Sequence, residues 1–327
     1  MKRTGAENST MLCPVCEYPD ARLKWELSDR FFATTEESFP VFECAGCGLL
    51  FQDSSRVKDR LGEFYPDDYW WEGKDGLLSS LERGYREWMV RHDHVRFLER
   101  VFTAQRDLRL LDIGCGGGLF VRLAREAGFD AWGLETSERA VELAHREGNH
   151  WITAGDESTF EVDDADRFDI VTLFHVLEHV VDPFRYLRKV QKLMRKPGHL
   201  IVQVPNRSSW QARLLGRRWY GLDCPRHLCN YTSYSLLYLL GRAGFRIQRV
   251  RYFSVRDNAP ALVASLLPGL EPVSSRVRAR ARGGRVRAEA LREALFTGLV
   301  VPAQLFAWAE AKLGRGGSIM VHASWDS

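Results

Sequence analysis

Two groups of residues in this 327-residue sequence have the type and spacing to do chemistry: paired cysteines near the start, and glycines with acids in the middle. Cys13-x-x-Cys16 and Cys44-x-x-Cys47 form two knuckles separated by 27 residues, which leaves room for a hairpin. Such turns can bring four thiolates to one tetrahedral zinc ion, and Gly48 after the last cysteine suits a tight turn. Four sulfur ligands leave no open position, so the metal would be structural and would supply folding energy to a module with little core of its own. Cys115, Cys224 and Cys229 lack such pairing and read as packing residues.

The stretch "LLDIGCGGGLF", residues 110–120, reads as a strand, a glycine turn and a helix. Glycines there let a backbone approach a pyrophosphate at a helix N-terminus. The dinucleotide fingerprint Gly-x-Gly-x-x-Gly is nevertheless broken: Gly114 and Gly116 fit, but Leu119 takes the third place, and Gly117 and Gly118 come too early. Asp112, at the tip of the strand, would repel a pyrophosphate and suits a cation. S-adenosyl-L-methionine carries an ammonium and a sulfonium and no phosphate. In "AWGLETS", Glu135 stands 23 residues after Asp112, where a carboxylate can accept both hydroxyls of a ribose, and Thr136 follows it. Asp156 in "AGDES" is placed to meet the adenine amino group. A fourth strand runs through Phe174 into "HVLEHVVDP". Acids and glycines thus fall at successive C-terminal strand ends, where open α/β sheets bind ligands.

Removing a methyl group from a sulfonium requires a positioned nucleophile and, for a hydroxyl or carbon acid, a base. Histidine is the natural choice near neutral pH. His175 directly follows the fourth strand and is expected to face the crevice. His179, four residues on, shares its face and reads as a packing residue of the junction. His227 lies in "DCPRHLCNYT", a polar and aromatic loop after the fifth strand. Beside it, Arg226 is suited either to an anionic substrate group or to a structural ion pair. Tyr65 and Tyr69 in "FYPDDYWW" could close over the cofactor as an aromatic lid or form an interdomain contact.

These residues need a scaffold, and the pattern from Leu108 onward supplies one. Strands are expected at "RLLDIG", "DAWGLE", "HWITAG", "FDIVTLF" and "HLIVQVPN", with helices at "GLFVRLAREAG", "SERAVELAHREG" and "DPFRYLRKVQKLMRKPG". A further helix, "TSYSLLYLLGRAGF", and strands "RIQRVRYFS" and "GSIMVHAS" complete a doubly wound α/β domain. The expected divisions are a zinc-ribbon-like module at 1–60, an aromatic linker and helix at 61–107, and the α/β domain at 108–327, with an apolar and Arg-rich insertion at 258–314.

With "LLDIGCGGG", "GLETS", "GD" at 155–156, "FDIVTLFHVLEHVVDP" and "GHLIVQVPN" in place, the chain resembles the class I S-adenosylmethionine-dependent methyltransferases over roughly residues 75–327. It is most similar to a bacterial subgroup with a cysteine-rich module ahead of the methyltransferase domain and a segment like "GRRWYGLDCPRHLCNYT" after the fifth strand. The resemblance implies a mostly parallel seven-stranded sheet. It also implies a cofactor site lined by Gly114, Gly116, Glu135, Asp156 and Phe174, with Asp112 near the methionine end. Cys115, Gly118 and Thr136 belong to the same turns.

A net charge of +3 does not imply nucleic acid. Arg supplies 38 of the 46 basic residues along the whole chain, which weakens the meaning of any one cluster. The basic start has no apolar run behind it, so a reducing, cytoplasmic setting is expected. Within 258–314, apolar segments flank "SSRVRARARGGRVRAEALRE". They could lie on the inner membrane face as a peripheral contact, or form a helical hairpin covering the sheet or a dimer contact. The function expected is methyl transfer to the oxygen or carbon of a small-molecule, saccharide or lipid-linked glycan acceptor. An RNA-modifying enzyme using the zinc module is the alternative. Against it, no Asn/Asp-Pro-Pro-aromatic segment follows the fourth strand and no RNP-like aromatic pair is present. Nothing in the sequence speaks to the oligomeric state.

Overall fold

Alternating apolar residues in "ARLKWELS" and "SFPVFEC" give an antiparallel hairpin, β1 (Ala21–Ser28) and β2 (Ser38–Cys44), and β3 (Leu50–Gln52) pairs with β2. The computed structural model describes residues 11–66, 77–103, 107–281 and 287–326. Helix α1 (Leu77–Val90) passes through one π-helical turn at Arg91–Val95 into α2 (Arg96–Val101). The α/β alternation then begins: β4 (Arg109–Ile113), α3 (Leu119–Glu126), β5 (Asp130–Glu135), α4 (Glu138–Arg146), β6 (Ile152–Ala154), β7 (Phe168–Phe174), α5 (Pro183–Val190) and β8 (Met194–Pro205). After β8 come α6 (Trp210–Leu215), β9 (Cys229–Asn230), α7 (Ser233–Arg242) and β10 (Arg246–Arg251). The insertion forms α8 (Asn258–Leu266), α9 (Pro272–Ala281) and α10 (Arg287–Lys312), and β11 (Ser318–Trp325) closes the chain.

Seven strands form one sheet in the order β10-β11-β8-β7-β4-β5-β6. The five from β8 to β6 run parallel, while β11 is antiparallel to both neighbours. This is the mostly parallel, doubly wound sheet expected. Strand order reverses between β4 and β7, so their C-terminal ends open a crevice.

Local chemistry sets the helix starts that border this crevice. Ser137 caps α4 by accepting from Ala140 N at 3.3 Å, and Asp182 caps α5 ahead of Pro183 by accepting from Arg185 N at 2.9 Å. The segment expected to be helical to residue 198 stops at Val190, and β8 begins at Met194 with a register shift opposite Phe168–Ile170. Pro197 lacks the amide hydrogen a helix would use.

The small sheet at the start takes its fourth strand from far along the chain: β9 pairs with β3, Leu50 opposite Asn230 and Phe51 opposite Cys229. Cys13, Cys44 and Cys47 share one buried cluster with Leu236, Leu239 and Leu240 of α7. Thr232 Oγ1 donates to Cys47 O at 3.1 Å, and Arg242 Nη1 donates to Val15 O at 2.9 Å. The cysteine knuckles therefore rest on the helix that precedes β10.

Candidate active site

The glycine turn leaves β4 with Gly114 at φ +74°, where an added Cβ would meet Val176 Cγ2 at 2.6 Å. Gly118, at φ +72°, starts α3, and a Cβ there would sit 2.0 Å from Ile152 Cδ1. Both positions need glycine for conformation and for space. Cys115 between them packs against Val141, Ala144 and Ile152.

Asp112 is buried at the end of β4, and its Oδ1 accepts from Thr172 Oγ1 at 2.6 Å. Burial pushes its carboxyl up to about 7; Glu135 adds to the rise, while Thr172 and Arg256 offset part of it. Glu135, also buried, ties β5 to the turn: Oε2 accepts from Gly116 N at 2.8 Å. Its Oε1 accepts from Ser137 N at 2.9 Å and from Thr136 Oγ1 at 3.3 Å. Neither acid has an ion-pair partner among the described residues. Two buried carboxylates with only neutral donors suit a cationic ligand bearing hydroxyls and would resist a pyrophosphate. The residues present therefore fit S-adenosyl-L-methionine. Asp156 is more engaged than expected: its Oδ1 already accepts from the amides and hydroxyls of Ser158 and Thr159 at 2.6–3.0 Å.

Phe174 ends β7 and stacks on His94, ring centroids 4.0 Å apart and 9° from parallel, with Phe120 edge-on at 5.0 Å. His94 begins a buried chain of polar groups. Its Nε2 meets Gln203 Oε1 at 3.1 Å, Gln203 Nε2 donates to Asp257 Oδ2, and that oxygen meets His175 Nε2 at 3.0 Å. His175 Nδ1 faces Glu178 Oε1 at 3.1 Å. Burial alone would lower the His175 pKa, but Asp257 and Glu178 outweigh it and raise it to about 10. His175 is thus an imidazolium clamped between two acids. That corrects the expectation of a base there, since a ring with both nitrogens protonated has no lone pair to accept with.

His179 and His227 stand together, rings 4.8 Å apart and near perpendicular. His179 Nδ1 lies 3.0 Å from both Arg226 O and the Tyr65 hydroxyl, and burial, reinforced by His227, lowers its pKa to about 4. His227 Nδ1 lies 2.8 Å from Gly221 O. A carbonyl only accepts, so each ring carries a proton on Nδ1, and His227 Nε2 lies 3.9 Å from Asp223 Oδ2. Glu178 is fully buried, and its Oε2 has no hydrogen-bond partner among the described residues. One ligand atom from each of Glu178, His179 and His227 lies within 4.8 Å of the others, a set able to hold a metal ion. Tyr65 thus meets this cluster; Tyr69 lies outside the described residues.

Arg226 does not face a substrate. Its guanidinium is wholly buried and donates to Asp29 at 2.7 and 3.1 Å, to Asp223 at 2.7 and 3.0 Å and to Phe64 O at 2.9 Å. Burial works against the charge, yet Asp223 and Asp29 overcome it and raise the pKa. The expectation of an anion-binding arginine gives way to a structural one, because all its donors are already directed at protein oxygens.

In the cysteine knuckles, Cys13 Sγ and Cys47 Sγ are 3.6 Å apart, Cys16 Sγ and Cys44 Sγ 3.5 Å, and all four sulfurs lie within 4.8 Å. A tetrahedral zinc with bonds of about 2.3 Å puts its sulfurs about 3.8 Å apart, so the thiols fit the ion.

Sequence reasoning missed His94, Gln203 and Asp257. The signal for His94 was "RHDHV", where two histidines and an aspartate interrupt an otherwise amphipathic helix. Asp93 there is fully buried and accepts from Ser254 Oγ at 2.8 Å and Arg256 N at 2.9 Å.

Strand order, glycine turn and buried acids together define a class I methyltransferase. Residues 83–250 match the family model described as "Methyltransferase domain", and the chain belongs to that family. Among curated relatives, the ubiquinone biosynthesis O-methyltransferase of Cereibacter sphaeroides is 35% identical over 134 residues, 39% of this chain and 54% of the relative. The enzyme of the same name from Azorhizobium caulinodans is 28% identical over 197 residues, 55% of this chain and 77% of the relative. The chain spans about half the length of the first of these. Similar solved structures include an S-adenosylmethionine-dependent methyltransferase from Archaeoglobus fulgidus, 18% identical with TM-score 0.45, covering 76% of this chain and 100% of that one. Another is coclaurine N-methyltransferase, 14% identical with TM-score 0.46, covering 78% of this chain and 75% of that one.

Proposed function

We propose that the protein methylates an oxygen of a small-molecule acceptor and that Glu178, His179 and His227 form the acceptor side of the site. The observation that carries this reading is the buried Oε2 of Glu178, without a hydrogen-bond partner among the described residues, beside two histidines that each turn Nδ1 to a backbone carbonyl. The cluster adjoins the glycine turn, since Gly114 abuts Val176 between His175 and Glu178. The relatives named as O-methyltransferases support an oxygen acceptor; a sugar or lipid-linked hydroxyl fits the same chemistry.

Bound S-adenosyl-L-methionine supplies a methyl group on a cationic sulfur. Asp112 offers that cation a negative charge, and Glu135, which also holds the turn through Gly116 N, orients the ribose. A divalent ion held by Glu178, His179 and His227 would acidify an acceptor hydroxyl, whose proton would pass to water as the methyl moves from sulfur to oxygen and the neutral thioether leaves. His175 and Tyr65 act one step back: His175 fixes Glu178 and Tyr65 fixes His179. The four cysteines would hold a structural zinc that locks the small sheet against α7.

The test supplies methyl-labelled donor and a metabolite extract to the purified protein, with and without a chelator. Label should enter an ether-linked product, and Glu178→Gln and His227→Ala should each slow transfer about 100-fold or more. Full activity of both variants, or label appearing in an RNA fraction instead, contradicts the reading. Metal analysis should find zinc bound, and Cys44→Ser should lose it and melt several degrees lower.

A further inference from the structure

Helix α10 is built inside out. Phe296, Val300, Ala307 and Glu310 lie on one side and are buried, while Leu291, Leu295, Leu299, Val301, Leu305 and Trp308 line the other and face out. Leu305 is 75% exposed and Val301 68%. Only 22% of the most apolar window within Leu291–Lys312 is buried. The side chains tie the helix to the domain along its length: Gln304 Nε2 donates to Val255 O at 3.0 Å, and Gln211 Nε2 donates to Glu310 Oε1 at 2.6 Å. A helix fastened in this way lies along a surface and does not cross a bilayer.

We propose that this face of α10 docks the protein on an anionic lipid surface. Charge selects the occupant. Six arginines, at 276, 278, 280, 282, 285 and 287, fall between Val273 and Ala288 with no acid among them, directly before the apolar face. Arg276 is buried against Glu293 and Arg278 donates to Phe31 O and Pro268 O, so the selecting charge is that of Arg280, Arg282, Arg285 and Arg287. Helix α10 carries three acids, Glu289, Glu293 and Glu310; Glu293 is paired with Arg276 at 2.9 Å and Glu310 is buried. At the far end Lys312 sits over the Trp308 ring at 5.5 Å, an indole and ammonium at the edge of an apolar stripe, as at a lipid–water boundary. Apolar side chains flanked by arginines match an interfacial helix on anionic lipid. A second copy of the chain would instead bring a second arginine run to the same contact. This inference goes beyond the methyl-transfer reading and does not depend on it.

Sedimentation with vesicles tests it. The full chain should sediment with mixed phosphatidylglycerol–phosphatidylcholine vesicles, weakly with phosphatidylcholine alone, and less as salt rises. The triple variant Leu295→Glu, Leu299→Glu, Leu305→Glu should bind about tenfold more weakly or not at all, with an unchanged circular dichroism spectrum. As a second measurement, vesicles should shift the indole emission to the blue, and Trp308→Phe should remove most of that shift. Failure of the wild type to sediment with anionic vesicles, or equal binding by the triple variant, overturns the proposal. So does a vesicle-independent dimer that the triple variant dissociates, which would make this face a subunit contact.

Discussion

Below about pH 7 Asp112 holds a proton that a cationic ligand should displace. Its free carboxyl sits at about 7, raised from an ordinary 3.8 chiefly by burial. A raised carboxyl favours the folded state below its unfolded value, and that advantage fades as pH climbs through about 7. Ligand binding runs the opposite way: the sulfonium and ammonium favour the carboxylate, so binding releases a proton below pH 7. Affinity for S-adenosyl-L-methionine should rise with pH up to about 7 and then level off. In Asp112→Asn the profile should be flat and the affinity at pH 8 lower by about tenfold, the size of one lost charge-assisted contact. Calorimetry across this range reads it directly. An unchanged slope in the variant would remove Asp112 from the ligand's surroundings.

Two elements depend on single residues for their geometry. The start of α3 needs Gly118, and Gly118→Ala should cost about 2–4 kcal/mol, because a left-handed backbone and a clash with Ile152 combine there. The loop before β9 needs Arg226, whose replacement by Met should cost about 3–5 kcal/mol by stranding Asp29 and Asp223 in the interior. Urea unfolding would measure both. Asp29 shows the pH sense of that pair: burial would raise its pKa, but Arg226 holds it down to about 2. Its contribution is therefore present above about pH 4 and lost as pH falls through about 2. An Arg226→Met variant as stable as the wild type would mean that the two aspartates find other partners.

At the scale of the whole molecule, what could be read in advance was whatever repeats locally. The strand–helix alternation after Leu108, the acids at strand ends and the Cys-x-x-Cys knuckles each announce themselves within a few residues. The long-range pairings did not. Arg226 looks like a ligand-binding arginine until Asp29, 197 positions away, is seen against it. His175 looks like a base until Asp257, just ahead of an apolar insertion, closes on its other nitrogen. The fourth strand of the small sheet is two residues long, too short for any period to reveal. In each case a partner distant in sequence decides the protonation state or the pairing, and no local pattern encodes that partner.

The central claim is that the acids at the ends of β4 and β5 hold S-adenosyl-L-methionine. Titration calorimetry at pH 8 tests it most directly. The wild type should bind one equivalent, and Glu135→Ala should bind at least about 30-fold more weakly, the loss of roughly 2 kcal/mol in hydrogen bonds to an ionised acceptor. Wild-type protein that ignores S-adenosyl-L-methionine but takes up a nicotinamide dinucleotide, or a Glu135→Ala variant that binds as the wild type does, would contradict it.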